Sequence, residues 1–154
     1  MPDTTKTFMV ENARIIFRNF SGKPGPFNKE GDRSFAVILP DGVDEEMLDD
    51  GWNVRYLDPR EEGDPPIPYI SIAVRYDIRP PRVVLLTATT RTQLDEGSVE
   101  ILDWSDIKVA DLIARGYEWN VNGKTGMKAY LQSLFVTIEE DALEQKYAIH
   151  ENSG

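Results

Sequence analysis

The stretch YEWNVNGKTGMKAYLQSLFVTI, residues 117–138, decides the expected fold. It places Asn122 and Gly123 between two runs that are rich in β-branched and aromatic residues. An Asn-Gly pair in this setting is a strong signal for a two-residue turn, because both residues tolerate a positive φ. The sequence therefore predicts a β-hairpin formed by residues 117–121 and 127–138, with Lys124 at or near its tip.

Strand patterns dominate the rest of the chain as well. Short helices are expected at Asp44–Asp50, with Asp44 as the cap, and at Glu140–Ala148, whereas Ile107–Ile113 fits either helix or strand. Many short strands with little helix predict a mainly β protein, an antiparallel Greek-key barrel with one or two short helices. Alternating or continuous apolar residues predict its further strands at 13–18, 35–39, 52–57, 69–76, 82–90 and 98–102.

The composition limits the class of protein. The 154 residues are enough for one domain, and 40% of them are hydrophobic, so the chain can bury a core. The absence of cysteine and the single histidine, His150, exclude a disulfide framework, a Cys/His zinc site and a cysteine nucleophile. Residues 1–10 contain no apolar signal-peptide core, and no apolar run approaches the ~18 residues that span a bilayer. We therefore expect an intracellular protein.

The net charge of −10 is distributed unevenly. Residues 41–64 contain ten acids and two bases, and residues 139–154 contain five acids and one base. By contrast, residues 1–40 contain six bases and four acids, and residues 65–93 contain four bases and one acid. An acidic protein is a poor match for a polyanion, because nucleic-acid binding depends on phosphate neutralisation, but the two basic stretches weaken that objection.

Two motifs suggest chemistry, and neither meets its requirements. Gly123-Lys124-Thr125 lacks the glycine that a phosphate-binding loop needs five residues before Gly123, where Glu118 stands. The carboxylates of residues 41–64 lack the alternating Asp/Asn pattern and the closing Glu of a calcium loop. A two-metal nuclease needs carboxylates that converge on ions about 4 Å apart, and nothing in this spacing indicates such a cluster. We expect no enzymatic activity, no cofactor and no metal site.

Cations lie beside aromatic residues on the predicted outward faces of several strands. Arg14, Arg18 and Phe20 share one parity of the first strand, and Lys128 and Tyr130 share another near the hairpin. Single-stranded nucleic acid requires this combination, because phosphates pair with cations and unpaired bases stack on flat rings. A core position is expected instead for Ile70, Ile72, Val74, Phe17, Phe35, Trp52 and Trp119.

The candidate DNA-binding residues follow from this parity and charge pattern. Basic loops beside strands can clamp a polyanion, which adds the cations in or beside the Gly/Pro-rich loop 21–31 and those that flank the turn at 77–81. The full set comprises Arg14, Arg18, Phe20, Lys23, Lys29, Arg33, Arg75, Arg79, Arg82, Lys124, Lys128 and Tyr130.

Longer strings of the sequence resemble one family. They are ENARIIFRNFSGK (11–23), FNKEGDR (27–33), DGWNV (50–54), YLDPREEGD (56–64), RPPRVV (79–84), YEW (117–119), VNGK (121–124) and KAYLQS (128–133). They resemble the single-stranded DNA-binding proteins encoded by phages of actinobacteria, over about residues 8–147. The resemblance implies an OB-fold, a curved β-barrel that presents one face and its loops to a single strand. It also implies coating of exposed DNA during phage replication or recombination in the host cytoplasm.

This interpretation divides the chain into an OB-fold-like nucleic-acid-binding domain, residues 1–138, and an acidic C-terminal segment, residues 139–154, as a short helix or a tail. The expected partners are single-stranded DNA and, through the acidic segment, phage replication or recombination proteins; no membrane contact is expected. Two alternatives stay open. One is an acidic protein-interaction module that recruits replication or recombination enzymes, which the charge of −10 favours. The other is a metal-dependent nuclease built from the carboxylates of residues 41–64.

Overall fold

The computed structural model describes residues 6–26, 28–59, 61–77 and 79–138. Within these ranges the chain forms nine strands, one α-helix and one 3-10 helix. In chain order they are β1 (Thr7–Val10), β2 (Arg14–Asn19), β3 (Arg33–Ile38), α1 (Val43–Asp49), β4 (Val54–Leu57), β5 (Ile67–Val74), β6 (Arg82–Leu86), β7 (Arg91–Leu94), the 3-10 helix (Val99–Asp103), β8 (Ile107–Val121) and β9 (Lys124–Ile138). The helix expected at Glu140–Ala148 and the acidic segment 139–154 lie outside the described residues.

The long hairpin of β8 and β9 is the centre of the sheet. Its strands pair along their whole length, and the turn residues Asn122 and Gly123 have φ of 53° and 79°. The strand order is β1-β8-β9-β5-β3-β2, with β4 added to β5 and the β6–β7 pair added to β9. The predicted hairpin and the mainly β, OB-fold-like architecture are confirmed.

The sheet is mixed, whereas the sequence predicts antiparallel pairing throughout. β5 and β6 both run parallel to β9, with Ile72 opposite Ala129 and Val84 opposite Phe135. The chain passes from β5 to β6 along the same edge of β9, so β5 and β6 run in the same direction and both pair parallel to β9. The hydrogen-bonded path from β1 to β2 does not close into a ring. The Ala13 N–H nevertheless donates to the Ala110 carbonyl at 2.6 Å and ties the chain before β2 to β8.

One apolar core lies under the sheet. Ile70, Ile72 and Val74 of β5 are buried as predicted, and so are Phe35 and Trp52. Their burial confirms the alternation expected for β5 and the apolar run expected for β3. Removal of this apolar area from water is the main favourable contribution to folding.

The α-helix lies where the sequence predicts it, but its cap differs. Gly42 occupies the cap position, and no side chain caps the helix. The carboxylate of Asp44, the predicted cap, instead accepts a hydrogen bond from the Tyr56 hydroxyl at 2.8 Å. This hydrogen bond raises the pKa of Tyr56. The acidic first turn of α1 is thereby joined to β4.

The strand predicted at 98–102 is wrong. This part of the chain forms the 3-10 helix, which buries Val99 and Leu102. Residues three apart lie on one side of a 3-10 helix, so the spacing of the two apolar side chains suits this helix. The ambiguous segment Ile107–Ile113 is a strand, the first half of β8.

A β-bulge in β2 reverses the predicted parity of its second half. The register with β3 shifts between Ile16 and Asn19, and Phe17 has a φ of 51°. As a result Phe17, expected in the core, is 61% exposed. Phe20, expected to bind DNA, is 0% exposed and stacks on Phe35 with ring centroids 5.1 Å apart. Both predictions are wrong for one reason, because a one-residue shift moves later side chains to the other face.

Gly116 leaves the space that Trp52 fills in the core. A Cβ on Gly116 would lie 2.7 Å from Cη2 of Trp52 and would overlap Sδ of Met127. Gly116→Ala is therefore expected to lower the free energy of unfolding by about 1–3 kcal/mol through overpacking. Urea denaturation measures the loss. The matched control is Gly25→Ala, since a Cβ on Gly25 meets no atom within 4 Å. Equal unfolding midpoints for the two variants would contradict the packing of Trp52 against β8.

Candidate nucleic-acid interface

The strands β3, β5, β9 and β8 turn one side away from the core, and we call this side the outer face. Register partners place a row of side chains across it and onto β2: Asn19, Ser34, Ala73, Tyr130 and Arg115. Directly opposed residues of neighbouring strands share a face. The small side chains of Ser34 and Ala73 leave a depression between the larger groups of this row.

A cleft of about 370 Å³ occupies this depression. Four cations line it, one each from β3, β4 and β9 and one that directly follows β5: Arg33, Arg55, Lys128 and Arg75. Asp32 is the carboxylate among its described lining residues, and neutral polar groups come from Asn28, Ser34, Asn53 and Ser71. Cations from separate segments thus converge on one cleft in a protein whose net charge is −10. Phosphate groups are ligands that suit such a cleft.

Two of these arginines are paired with carboxylates of neighbouring loops. Arg75 donates through Nε and Nη2 to the two carboxylate oxygens of Asp77, at 3.0 and 2.5 Å. This pairing raises the pKa of Arg75. Nη1 of Arg33 lies 3.3 Å from Oε1 of Glu96. Both carboxylates are largely exposed to solvent, and a phosphate in the cleft can readily take the place of Asp77 on Arg75.

Arg33 is also half-buried against Tyr76. Its guanidinium carbon lies 5.9 Å from the centroid of the Tyr76 ring. Nε of Arg33 and the hydroxyl of Tyr76 are buried, and neither has a hydrogen-bond partner among the described residues. Burial raises the pKa of Tyr76 to about 12, so its hydroxyl stays neutral at physiological pH. Arg33 is the register partner of the buried Val74, so although it lines the cleft, its side chain points to the core side of β3, toward Tyr76 and Glu96, and not to the outer face.

Aromatic rings lie beside the cleft on the outer face. Nζ of Lys128 lies 5.5 Å from the ring centroid of Tyr130, and Tyr130 meets Tyr117 edge-on with centroids 6.4 Å apart. Phe17, which the bulge turns outward, meets Tyr69 edge-on at 5.7 Å. Exposed rings next to cations form the kind of platform on which unpaired bases stack.

Trp119 lines the cleft itself. The sequence predicts a core position for it, but its side chain is exposed, with 40% relative exposure, so this prediction is wrong. Its partner across the hairpin is Gly126, and a Cβ on Gly126 would lie 2.5 Å from Cζ2 of the indole. The glycine therefore lets the indole lie over the backbone of β9 at the cleft.

The structure brings together part of the predicted set. Lys23 and Lys29 are exposed on the loop between β2 and β3, where Nδ2 of Asn28 is within hydrogen-bond distance of their carbonyl oxygens. Lys124 is exposed at the first residue of β9. The predicted residues in or beside the cleft are Arg33, Arg75, Lys128 and Tyr130.

Two further predicted cations, Arg79 and Arg82, belong to the part of the chain beyond β5. Arg79 helps to lower the pKa of the half-buried Arg115, although burial is the larger cause. The guanidinium carbon of Arg82 lies 5.7 Å from the centroid of the Phe135 ring. Cations thus continue along β9 past the limits of the cleft.

Of the three residues predicted in β2 or directly after it, two have structural roles and the third lies outside the cleft. Phe20 is in the core, as described above. Nη1 of Arg18 donates to the carbonyl oxygens of Leu102 and Ser105, at 2.9 and 2.7 Å, and so holds the end of the 3-10 helix. Arg14 and Arg18 line a different cavity, of about 350 Å³, between β2 and the start of β8.

Sequence reasoning missed Arg55, Trp119 and Phe17. Arg55 alternates with the buried Val54, so its outward position is visible in the sequence. Its place in the cleft depends on the pairing of β4 with β5, where Arg55 lies opposite Tyr69. No local signal marks the outward turn of Phe17, because the bulge depends on the register of β2 with β3.

Two further features concern the described residues alone. In these ranges, no group of three or more histidine, aspartate or glutamate side chains comes together in a way that could hold a metal ion. None of the helices described above is long and apolar enough to span a membrane.

An OB-fold-like sheet with a basic cleft and exposed rings on one open face defines the class of single-strand nucleic-acid binders. A family model described as "Putative phage ssDNA-binding domain" matches residues 3–152. The chain belongs to this family. The resemblance to phage single-stranded DNA-binding proteins is thereby confirmed.

Solved structures of phage proteins resemble this chain. The single-stranded DNA-binding protein from bacteriophage Enc34 in complex with ssDNA is 13% identical, with a TM-score of 0.58 over 88% of each chain. Its C-terminally truncated form is also 13% identical, with a TM-score of 0.55 over 88% of this chain and 87% of that one. The gp2.5 protein of bacteriophage T7 is 10% identical, with a TM-score of 0.46 over 90% of this chain and 89% of its own. No curated protein matches the chain. At these identities the Enc34 structures establish the fold.

Proposed function

We propose that this protein binds and coats single-stranded DNA, without reading its sequence, during phage DNA replication or recombination. The observation that carries the proposal is the convergence of Arg55, Arg75 and Lys128 on one cleft beside Trp119. Membership of the phage ssDNA-binding family supports it. The fold shared with an Enc34 protein whose structure contains ssDNA supports it as well.

The cleft cations bind the phosphates of the strand. A phosphate that reaches Arg75 takes the place of Asp77, so the guanidinium exchanges one bidentate anion for another. Arg55 and Lys128 are exposed and form no ion pair with another described residue, so they bind phosphate without such an exchange. Each contact releases counterions from the DNA, and this release makes binding sensitive to salt.

The exposed rings of Trp119 and Tyr117 and the half-buried ring of Tyr130 bind the bases. Trp119, Tyr117 and Tyr130 offer ring faces or edges along the outer face of the hairpin. Stacking contributes about 1–3 kcal/mol per base and tolerates any sequence, because every base has a π-face. A duplex keeps its bases paired and stacked inside, so it cannot use these rings and binds less tightly.

The proposed function involves no chemical turnover and no cofactor, and it takes place in the host cytoplasm. Recruitment of replication or recombination proteins through residues 139–154 stays a prediction, since that segment lies outside the described residues. The described contacts favour DNA binding over the acidic interaction module, because the cleft gathers the outward cations Arg55, Arg75 and Lys128 of an acidic protein.

Fluorescence anisotropy of a labelled oligothymidylate of about 12 nucleotides, within the range of OB-fold sites, tests the proposal. We expect saturable binding to the single strand and much weaker binding to a duplex of the same length. Each phosphate contact contributes about 0.7 to the slope of log K against log salt, so the contacts with Arg55, Arg75 and Lys128 predict a slope of about −2 or steeper. Equal affinity for single strand and duplex, or an affinity that salt leaves unchanged, would contradict the proposal.

A further inference from the structure

Arg82 and Arg91 form a second cationic group, beside β6 and β7 rather than β5. Their guanidinium carbons lie 5.7 and 5.9 Å from the centroid of one ring, that of Phe135 on β9. Both arginines are exposed, and neither forms an ion pair with a carboxylate in the described part of the chain. A single ring thus holds two guanidinium groups whose charge is available to an anion.

The two guanidinium groups lie on an apolar platform. Val84 of β6 stands between two core residues and points away from the core, yet it is only 2% exposed. Its register partner on β9 is Phe135, and Arg82 and Arg91 lie on the same side of the β6–β7 pair as Val84. This places the ring and the two arginine stems around Val84. Packed stems restrict the guanidinium groups in advance, which reduces the entropy lost when an anion binds.

The group lies on the same outer side of β9 as the cleft residues. The register of β9 with β8 shifts at Gln132, which is one extra residue on β9. Residues five apart on a regular strand point to opposite faces, but because of this shift Tyr130 and Phe135 both point outward. The two residues are about 16 Å apart along the strand. Arg79 belongs to the connection from β5 to β6, between the two groups in the chain, and lies near Arg115.

The opposite side of Phe135 is acidic. Asp111 on β8 is its register partner, and Glu11 and Asp111 line a small cavity of about 190 Å³ together with Phe135. Oδ1 of Asp111 accepts a hydrogen bond from the Asn12 N–H at 2.7 Å. The charge on β8 therefore directs a polyanion toward the β6–β7 side of the ring.

We propose that Arg82 and Arg91 form a phosphate clamp on the Phe135 ring, which holds the backbone of single-stranded DNA beyond the cleft. The clamp rests on the proposed function and extends it. A strand bound in the cleft continues past Tyr130 along β9, and it reaches the clamp only when it is long enough. Short strands use the cleft alone, whereas long strands use both groups of cations.

Oligothymidylates of about 4 and about 12 nucleotides, near the two ends of the range of OB-fold site sizes, separate the cleft from the clamp. The double variant Arg82→Ala/Arg91→Ala is expected to lose about 100-fold in affinity for the long strand, tenfold for each phosphate contact, and to reduce the magnitude of its salt slope by about 1.4. Its affinity for the short strand, measured by competition, is expected to equal that of the wild type. A cooperative urea transition of the double variant confirms that it is folded, since the loss of the packed arginine stems lowers its midpoint without unfolding it.

Two controls separate the clamp from general charge. Lys108→Ala removes one exposed cation from the start of β8, outside the cleft and the clamp. Its affinity for the long strand is compared with that of Arg91→Ala. Phe135→Leu keeps both charges and removes the ring, and it is expected to weaken binding of the long strand alone. Unchanged affinity of the double variant for the long strand, or an equal loss for both lengths, would overturn the clamp. Failure of the wild-type protein to bind either strand would overturn the proposed function itself.

Discussion

Replacing Arg75 and Lys128 together by alanine is expected to lower the affinity for single-stranded DNA by about 100-fold at moderate salt, tenfold for each charge-assisted phosphate contact. The two residues lie on different strands or strand ends but line one cleft, so both contacts are lost at the same place. The magnitude of the salt slope is expected to fall by about 1.4, since each contact with single strands accounts for about 0.7. Anisotropy titrations at several salt concentrations measure both quantities.

The matched control removes two cations from other parts of the surface. Lys6→Ala/Lys108→Ala changes the net charge by the same amount, and neither lysine lines the cleft. We expect the control to retain its affinity within about threefold and its salt slope within about 0.5, the scale of a distant charge effect. An equal loss in both double variants would mean that the net charge, and not the cleft, governs binding.

Phe20→Ala is expected to lower the free energy of unfolding by about 3–5 kcal/mol, the usual cost of removing a buried phenylalanine side chain. Phe20 is fully buried and stacks on Phe35, so the change leaves a cavity that the neighbouring strands cannot fill easily. Phe17→Ala, three residues away, removes a largely exposed ring and is expected to cost less than about 1 kcal/mol of stability. Urea denaturation measures both changes.

The same pair of variants separates the core from the interface. Phe17 lies on the outer face against Tyr69, so Phe17→Ala is expected to weaken binding of single-stranded DNA by up to about tenfold, the low end of one stacking contact. A result in which Phe17→Ala unfolds the protein while Phe20→Ala leaves it stable would show that β2 has no bulge. The assignment of the outer face would then be wrong along this strand.

The elements that depend on local signals could be predicted from the sequence. The Asn122-Gly123 turn, the short helix after Gly42 and the alternation of β5 all follow from residues close together in the chain. The charge and parity patterns identified Arg75 and Lys128 as candidate ligands of a polyanion, and the structure places both in the cleft. Their convergence could not be predicted, because it depends on the pairing of β5 with β9 across a long separation in sequence.

The wrong predictions for Phe17, Phe20 and Trp119 have the same physical origin. Parity reasoning assumes an unbroken strand, and the bulge after Ile16 exchanges the positions expected for Phe17 and Phe20. Trp119 is a large aromatic residue of the kind that usually lies in a core. It lies instead where the hairpin extends beyond the core, opposite a glycine. In both cases tertiary register, which a single sequence does not specify, decides which face an aromatic residue occupies.

The fluorescence of Trp119 reports whether single-stranded DNA occupies the cleft. Trp52 is buried, and Trp104 is exposed but does not line the cleft. In the Trp104→Phe variant, Trp119 is therefore the one exposed indole among the described residues. Titration with oligothymidylate is expected to change its emission in a saturable manner, with the same midpoint as the anisotropy signal, and 1 M salt is expected to reverse the change. Binding detected by anisotropy without any change at Trp119 would contradict the account, because the strand would then lie outside the cleft.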